Sequence, residues 1–308
     1  MPNSIDAVLL IAFGGPTGPH EIRPFLQNVT RGLRIPPERI EEVTHHYEAI
    51  GGQSPLNELT FRQAQGLQAL LRREGPALPV YVGMRNWTPY LHETLVEMAA
   101  KGIRRALGLI MSPLQSEASW ERYQRNVADA CAQVGPSAPE VEYASPWFNH
   151  EGFIEAVADR AGRALGEMPA GERSHARVVF TAHSVPTAMA RTAPYVSQLE
   201  EASRLAAARL GLSRWSVAYQ SRSGSPREPW LEPDVREVIR ASAREGARHV
   251  VAVPIGFVCD HVEILYDLGV EARAVAADAG VGFHLAGAVN DHPAFICMLH
   301  DLVVRATR

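Results

Sequence analysis

The sequence has few cysteines, and they lie too far apart to form a recognisable metal or redox motif. Its 308 residues include three, Cys131, Cys259 and Cys297, and no Cys-x-x-Cys pair. A small, odd number of distant cysteines is typical of a protein in a reducing compartment and not of a secreted disulfide framework. We therefore expect a cytoplasmic protein with reduced thiols.

The sequence also lacks an excess of charge of either sign. Lys and Arg total 30, Asp and Glu total 34, and the formal net charge is -4. Without a basic surplus the molecule has no overall field that attracts nucleic acid or anionic lipid, so we expect no nucleic-acid partner. Apolar residues make up 46% and charged residues 21%, which are the proportions of an ordinary folded protein and exclude a disordered chain.

No apolar run is long enough to cross a membrane as a helix. The run over residues 250–259 contains Pro254 and Gly256 and has about half of the ~20 residues that a bilayer-spanning helix needs. The run over residues 7–13 follows a start without basic residues and leads directly into Gly14-Gly15-Pro16, which predicts a first β-strand and not a signal peptide. We expect no stable insertion into a membrane.

Short apolar runs alternate with longer helical patterns along the chain. The short runs predict buried strands, and the patterns between them have the spacing of amphipathic helices. This alternation is typical of an α/β fold in which helices flank a mostly parallel sheet. The predicted strands cover residues 7–13, 80–84, 106–111, 176–182, 216–219, 250–257 and 281–285, and the predicted helices cover residues 56–73, 90–101, 119–132, 152–165, 197–210 and 234–245.

The alternation runs twice, which predicts two similar domains. We place the first over residues 1–145 and the second over residues 146–291. The final segment, residues 292–308, is predicted to form one amphipathic helix that packs back on the first domain. We expect the protein to be a monomer.

Residues that finish a predicted strand are the first candidates for a functional site, because ligands of open parallel sheets bind beyond the carboxyl ends of the strands. His183 finishes one such strand and precedes a turn that Pro186 restrains. A rigidly held imidazole suits a metal ligand or a proton acceptor, since its ordinary pKa lies near ~6.5. The alternative interpretation is a core histidine with both ring nitrogens hydrogen bonded.

A second candidate segment begins with Asp260 and carries three acidic residues. Glu263, Asp267 and Glu271 are spaced by four residues, so they form one stripe if a helix continues through Gly269. Such a stripe indicates either a site for a cation or a face covered by solvent. The spacing alone favours the solvated face.

A third segment, residues 47–56, contains a Gly-Gly turn between two helical patterns, with Ser54 near the cap of the second helix. Free backbone amides and a hydroxyl group at that point suit a bound carboxylate or phosphate, although a simple turn explains the segment equally well. Gly14-Gly15 is followed by Pro16 and does not complete a G-x-G-x-x-G motif, so dinucleotide binding gains no support.

Taken together, these segments resemble the ferrochelatases, enzymes that insert ferrous iron into a porphyrin. The resemblance covers essentially the whole chain and implies two Rossmann-like α/β domains with a porphyrin cleft between them. It also implies that Fe²⁺ and a porphyrin are the substrates and that no redox cofactor is needed. Five motifs carry it in the right order: Leu-Leu-Ile-Ala-Phe-Gly-Gly-Pro at 9–16, residues 47–56, Thr-Ala-His-Ser-Val-Pro at 181–186, Tyr-Gln-Ser-Arg at 219–222, and residues 256–267.

The resemblance implies that His183 and Glu263 carry the chemistry, and it leaves open which of them takes protons and which delivers the metal. For Asp267 it reverses the interpretation as a solvated face, because Asp267 and Glu271 match a row of carboxylates proposed as a metal path in the family. Its matched positions, together with the donors that extra carboxylates would need, place the expected porphyrin contacts at Phe13, Arg31, His46, Tyr47, Ser54 and Tyr123.

The chain departs from the family pattern at several positions. Asn86 stands where some members have a histidine for a second metal, and Thr30 and His46 stand where some have arginine. Gly269 replaces a common acidic residue. Members with a [2Fe–2S] cluster hold it with four cysteines, so a chain with three distant cysteines is expected to lack the cluster.

The opening strand bears on the choice of porphyrin. Ala12-Phe13-Gly14-Gly15-Pro16 is similar to the branch that acts on coproporphyrin III, which reads Ala-Tyr/Phe-Gly-x-Pro, whereas the protoporphyrin IX branch usually reads Asn-Leu-Gly-x-Pro. We therefore expect a coproporphyrin III ferrochelatase, with a protoporphyrin IX enzyme as the alternative.

Three further alternatives have other functions. A cobalt or nickel chelatase acting on sirohydrochlorin would be smaller and would use paired histidines. A non-catalytic haem- or tetrapyrrole-binding module would not require the Glu263 carboxylate. A periplasmic-type solute binder would carry a signal sequence, which we do not find at the start of this chain.

Overall fold

A computed structural model describes residues 4–32, 35–223 and 228–308 of the chain. The chain divides into two compact units. The first consists of Met1–Ser112, Glu117–Pro146 and Asn290–Arg308, and the second consists of Pro113–Ser116 and Trp147–Val289. The short segment Pro113–Ser116, which the sequence pattern assigned to the first half, belongs to the second unit.

The first unit contains a four-stranded parallel sheet in the order β2-β1-β3-β4. All six residues of the central strand β1 are buried, because helices cover a parallel sheet on both faces. The strands are β1 (Ala7–Ala12), β2 (Val80–Met84), β3 (Arg105–Ile110) and β4 (Glu140–Tyr143), and the helices are α1 (Ile22–Val29), α2 (Pro37–Ala49), α3 (Leu56–Glu74), α4 (Leu91–Ala100) and α5 (Arg122–Val134), with a 3₁₀ turn at Pro19–Glu21 and a π-helical turn at Glu117–Glu121.

The second unit repeats this arrangement with a parallel sheet in the order β6-β5-β7-β8. Its strands are β5 (Ala176–His183), β6 (Trp215–Gln220), β7 (His249–Val253) and β8 (Gly282–Leu285), and its helices are α6 (Glu151–Gly166), α7 (Thr187–Arg191), α8 (Tyr195–Arg209), α9 (Val235–Arg244) and α10 (Arg273–Asp278). A 3₁₀ segment at Ala170–His175 precedes β5, and a π-helical segment at Glu263–Ala272 leads directly into α10.

The last helix, α11 (Pro293–Thr307), packs on α3 of the first unit. The side chain of Ile296 lies against Gly66, where an added Cβ would meet it at 3.3 Å. Just before the helix, the Gln63 side-chain amide donates to the carbonyl of Asn290 at 2.9 Å. These contacts explain why residues from Asn290 onward belong to the first unit.

The prediction of an α/β fold with mostly parallel sheets is confirmed, and the differences concern single elements. Strand β4 was not predicted because its residues alternate between exposed and half-buried at the edge of the sheet, so it has no apolar run. Strand β7 ends at Val253 and not at residue 257, because Pro254 lacks the amide hydrogen that the ladder needs. Within the described part of the chain, no helix has the length and apolarity needed to span a bilayer.

Gly256 is a position where the close approach of two backbones requires glycine. A Cβ at this residue would lie 2.6 Å from the Cβ and 2.8 Å from the Cα of Ala182, next to the end of β5. The amide of Gly256 donates to the carbonyl of Thr181 at 3.0 Å, which holds the chain after β7 against β5. Gly166, the last residue of α6, is a contrasting case, because a Cβ added there would meet no described atom within 4 Å beyond its own helix and its chain neighbours.

We expect Gly256→Ala to lower the free energy of unfolding by about 1–3 kcal/mol, the usual cost of overpacking a tight site. Gly166→Ala is the matched control and should change stability by less than about 1 kcal/mol, in the stabilising direction. Thermal melting of the two variants and the wild type measures both effects. A melting temperature for Gly256→Ala equal to that of the wild type would contradict the packing described.

Candidate functional site

His183 and Glu263 face each other at the carboxyl end of the second sheet. His183 is the last residue of β5, and Glu263 is the first residue of the π-helical segment. The Nε2 atom of His183 lies 3.5 Å from Oε1 of Glu263, and the two side chains are 27% and 33% exposed. The pair is therefore sheltered by protein but still reachable from solvent.

Gln220 fixes the distance between the strand and the π-helical segment. It is opposite His183 in the ladder between β5 and β6, and only 2% of its surface is exposed. Its side-chain oxygen accepts from the Thr181 hydroxyl at 2.8 Å, and its side-chain amide donates to the backbone carbonyl of Glu263 at 2.7 Å. One buried amide group thus ties the start of the π-helical segment to the sheet.

The environment makes His183 and Glu263 an ion pair. Burial alone would lower the pKa of His183, but the charge of Glu263 and its hydrogen bond outweigh it and raise this pKa to about 9. Burial would also raise the pKa of Glu263, yet the His183 charge holds it far below its usual range. The Nδ1 atom of His183 donates to the carbonyl of Ser184, which leaves Nε2 for Glu263. At neutral pH the pair is an imidazolium and a carboxylate.

Asp267 continues the acidic row inside the same segment. Burial, followed by the charge of Glu263, raises the pKa of Asp267 to about 7. Its Oδ2 atom accepts a hydrogen bond from the hydroxyl of Ser221, a residue in the left-handed backbone region with φ of 61°. That conformation costs a non-glycine residue about 1–2 kcal/mol, which the surrounding structure has to supply. Because its pKa is raised to about 7, the Asp267 carboxyl group changes charge near neutral pH.

The acidic row ends at Glu271, which lies beside the guanidinium group of Arg236. Its Oε2 atom lies 3.5 Å from the Nη1 atom of Arg236, whose guanidinium also pairs with Asp234. A cavity of about 490 Å³ opens beside this end of the row. It is lined by charged and polar side chains that include Ser184, Tyr219, Arg222, Asp234, Arg236 and Glu271. The π-helical segment continues through Gly269, so the predicted stripe of three carboxylates forms along one element.

His183 and Glu263 together offer one nitrogen and one oxygen ligand. Among the residues described, no group of three or more His, Cys, Asp or Glu side chains is arranged to hold a metal ion. A metal at the pair would take its remaining ligands from water or from a substrate. Such an incomplete ligand set suits transient binding and transfer of a metal better than permanent storage.

The first unit brings several of the predicted porphyrin contacts together. The ring of Phe13 lies 6.4 Å from that of Phe25, which in turn lies 6.1 Å from the ring of Tyr47. Tyr123, in the first turn of α5, packs under the guanidinium of Arg85 at 4.4 Å, and Arg85 also lies 5.5 Å from the Phe13 ring. Phe13 and Tyr47 therefore belong to one aromatic cluster through Phe25, and Arg85 links Tyr123 to Phe13.

The other three predicted contacts have different surroundings. Ser54 is buried next to Gly15, and its amide donates to the carbonyl of Pro16 at 2.8 Å. Arg31 is exposed and donates to the side chain of Asn28 at 2.8 Å. Burial lowers the pKa of His46, which lies on α2. The structure thus places Ser54 beside the loop that follows β1, Arg31 in the turn after α1, and His46 on α2.

Arg85 is a candidate site residue that the sequence did not single out. Burial lowers the pKa of its guanidinium, and its Nε atom donates to the side chain of Asn126 at 2.7 Å. Within the described residues it forms no ion pair with a carboxylate. A partly buried cation that contacts Phe13 and Tyr123 but lacks an acidic partner suits an anionic ligand group. Its position directly after β2 was the signal that could have identified it.

The raised pKa of Asp267 predicts a pH-dependent effect on stability. A carboxyl group with a pKa of about 7 in the folded state and ~3.9 in the unfolded state loses folding free energy as the pH rises from about 4 to 7. Asp267→Asn removes that loss and can still accept the hydrogen bond from Ser221. We therefore expect its melting temperature to rise relative to the wild type between pH 5 and pH 8.

Ser221→Ala is the matched comparison, because the Ser221 hydrogen bond lowers the pKa of Asp267. Removing that bond should raise the pKa of Asp267 further, so the loss of stability with rising pH should become larger in total and extend to higher pH than in the wild type. The electrostatics described would be contradicted if the melting temperatures of the Asp267→Asn variant and the wild type differed by the same amount at every pH.

Comparisons with known proteins show the family to which the chain belongs. A family model of the ferrochelatases matches residues 5–307. A coproporphyrin III ferrochelatase from Mycolicibacterium smegmatis is 43% identical over 303 residues, which cover 97% of this chain and 89% of that protein. A protein of the same name from Mycobacterium avium is 44% identical over 301 residues, which cover 97% and 87%.

The architecture is also found in a solved structure of low sequence identity. A multi-domain protein from Deinococcus radiodurans, described as structurally similar to chelatases, superimposes with a TM-score of 0.59 at 16% identity. The match covers 99% of this chain and 55% of that protein, so it bears on the fold alone. With the family model matched over nearly the whole length and relatives above 40% identity, the chain belongs to the ferrochelatase family.

Proposed function

We propose that this protein inserts Fe²⁺ into coproporphyrin III, the activity for which its mycobacterial relatives are named. The observation that carries the proposal is the pair of His183 and Glu263, a nitrogen and an oxygen ligand 3.5 Å apart at the carboxyl end of a parallel sheet. The match of the ferrochelatase family over residues 5–307 supports it.

The reaction exchanges two protons for one metal ion. A free-base porphyrin loses two pyrrolic protons when Fe²⁺ enters, so the charge of the macrocycle and its contents is unchanged. The site has to accept protons, replace water on the iron, and hold the ring in a shape that exposes its nitrogens. Fe²⁺ and the porphyrin are both substrates, and no electron is transferred.

The ion pair couples metal binding to proton release. In the resting site His183 carries a proton that it shares with ionised Glu263, and the two charges cancel. A doubly charged cation that approaches Glu263 is repelled by the imidazolium, so binding of the metal favours loss of the His183 proton. The freed Nε2 atom is then available to the metal or to a pyrrolic proton. Asp267, with a pKa of about 7, is placed to take up the released proton.

The first unit supplies groups suited to the ring and its carboxylates. Phe13 and Tyr123 offer aromatic surface, and Arg85 between them offers an unpaired positive charge. Coproporphyrin III carries four propionates, so it needs more donors than a porphyrin with two. The hydroxyl of Ser54 and the exposed Arg31 are further donors for these groups.

We further propose a monomeric, cytoplasmic enzyme without an iron–sulfur cluster. In the part of the chain that the structure describes, Cys131, Cys259 and Cys297 form no disulfide, which is compatible with a reducing compartment. Three cysteines are one fewer than the family's [2Fe–2S] centres use, and Cys131 and Cys297 lie on separate helices, α5 and α11.

Removing either member of the pair tests the assignment. We expect His183→Ala and Glu263→Gln each to lower the rate of iron insertion by roughly 10²–10⁴-fold, because each removes a group that acts directly in proton and metal exchange. The absorption spectrum of coproporphyrin III, followed anaerobically after addition of Fe²⁺, gives the rate. His175→Ala is the control, since His175 is exposed and lies just before the opposite end of β5. Turnover near the wild-type rate in either variant would overturn its role.

The choice of porphyrin is tested by comparing kcat/KM for coproporphyrin III and protoporphyrin IX. We expect the wild type to prefer coproporphyrin III, and Arg85→Met to lose more of its kcat/KM with coproporphyrin III than with protoporphyrin IX. Arg85→Lys, which keeps the charge, should restore part of the loss. A preference of the wild type for protoporphyrin IX would contradict the substrate and leave the chelatase activity standing.

A further inference from the structure

Two histidines and two glutamates meet near the amino end of the second sheet. His249 is the first residue of β7, and His284 lies on the neighbouring strand β8. His249 is level with Ala176 in the ladder, so about 23 Å of strand separates this point from His183 at the far end of β5. The cluster is therefore distinct from the candidate active site.

The four side chains form a row of close contacts. The Nδ1 atom of His249 lies 3.1 Å from Nε2 of His284. The Nε2 atom of His249 lies 2.5 Å from a carboxylate oxygen of Glu172, in the 3₁₀ segment, and Nδ1 of His284 lies 3.6 Å from a carboxylate oxygen of Glu167, after α6. Each imidazole thus has one nitrogen toward a carboxylate and the other toward its fellow imidazole.

The two inner nitrogens have the spacing of two ligands of one metal ion. Glu172 accepts a hydrogen bond from Nε2 of His249, so Nδ1 of His249 is an acceptor and Nε2 of His284 donates to it across the 3.1 Å contact. A metal ion that replaced this one proton would meet a lone pair from each ring. A separation of 3.1 Å is close to that of two neighbouring nitrogen ligands each ~2.0–2.1 Å from one ion.

The fold makes space for this geometry. Gly282 stands opposite His249 in the ladder, and a Cβ at Gly282 would lie 2.4 Å from Nδ1 of His249. The imidazole therefore lies directly on the glycine. The two histidine side chains are 16% and 17% exposed, so the contact between them is sheltered but reachable from solvent.

We propose that His249 and His284 bind a divalent transition-metal ion of the borderline class, with Zn²⁺ or Ni²⁺ as suitable ions. Imidazole nitrogen is a preferred ligand of these ions, and water completes the coordination. Glu172 orients the His249 ring through its outer N–H group, and Glu172 and Glu167 both offset the charge of the ion, an arrangement common around metal-bound histidines. The site is independent of the proposed chelatase activity.

The test uses Zn²⁺ alone, in a background that lacks His183, the nitrogen ligand of the candidate active site. Metal-stripped His183→Ala protein is titrated with ZnCl₂ by calorimetry and is expected to bind one Zn²⁺ per chain. Adding His249→Gln or His284→Gln should weaken that binding more than tenfold, and adding Glu172→Gln should weaken it about tenfold. Adding His175→Gln, a neighbouring exposed histidine outside the row, should leave it unchanged.

A second readout keeps the test independent of any one variant. Zn²⁺ should raise the melting temperature of the His183→Ala protein, whereas Mg²⁺ at the same concentration should not, because only bound ligand stabilises the fold. Gly282→Ala, which keeps both histidines but displaces the His249 ring, should reduce this rise. Zn²⁺ binding that is equally strong in both histidine variants, or absent from the His183→Ala protein, would overturn the proposal.

Discussion

The contact between His183 and Glu263 is the constraint on which the rest of the site depends. Two opposite charges at the end of a buried strand are costly to desolvate, and they are tolerated only when each is held in good geometry and hydrogen bonded. Here the carbonyl of Ser184 orients the imidazole, and the side chain of Gln220 holds the backbone of Glu263. Removing one partner would leave an uncompensated charge, so each residue lowers the free-energy cost of burying the charge of the other.

The surrounding structure serves to keep that contact open to substrate. A parallel sheet ends all its strands at one edge, which places His183 beside the chain that follows β7. The π-helical segment then presents Glu263 and Asp267 from a single element, so that a neutral ion pair lies next to a carboxyl group that titrates near neutral pH. A site built in this way can exchange a metal ion for protons without a large change in net charge.

Much of this could be predicted from the sequence, because strand ends and their turn residues are local signals. His183 stands at the end of an apolar run and was a candidate from that position alone. Glu263 was a candidate as part of an acidic stripe whose spacing favoured a solvated face, and the family resemblance gave it a role. The side chain of Gln220 on β6 bonds to β5 and to the start of the π-helical segment, and no local sequence pattern indicates such a contact. The same holds for His249 and His284, which are 35 residues apart and meet only because β7 and β8 pair. The edge strand β4 was missed since an exposed edge carries no apolar run.

A double-mutant cycle tests the central claim that His183 and Glu263 act as one unit. The values of kcat/KM for iron insertion into coproporphyrin III are measured anaerobically for the wild type, His183→Ala, Glu263→Gln and the double variant. Residues that act as a unit give losses that do not add. The account predicts that the double variant is no slower than the more damaged single variant. Losses that multiply in the double variant would show two independent contributions and would contradict it.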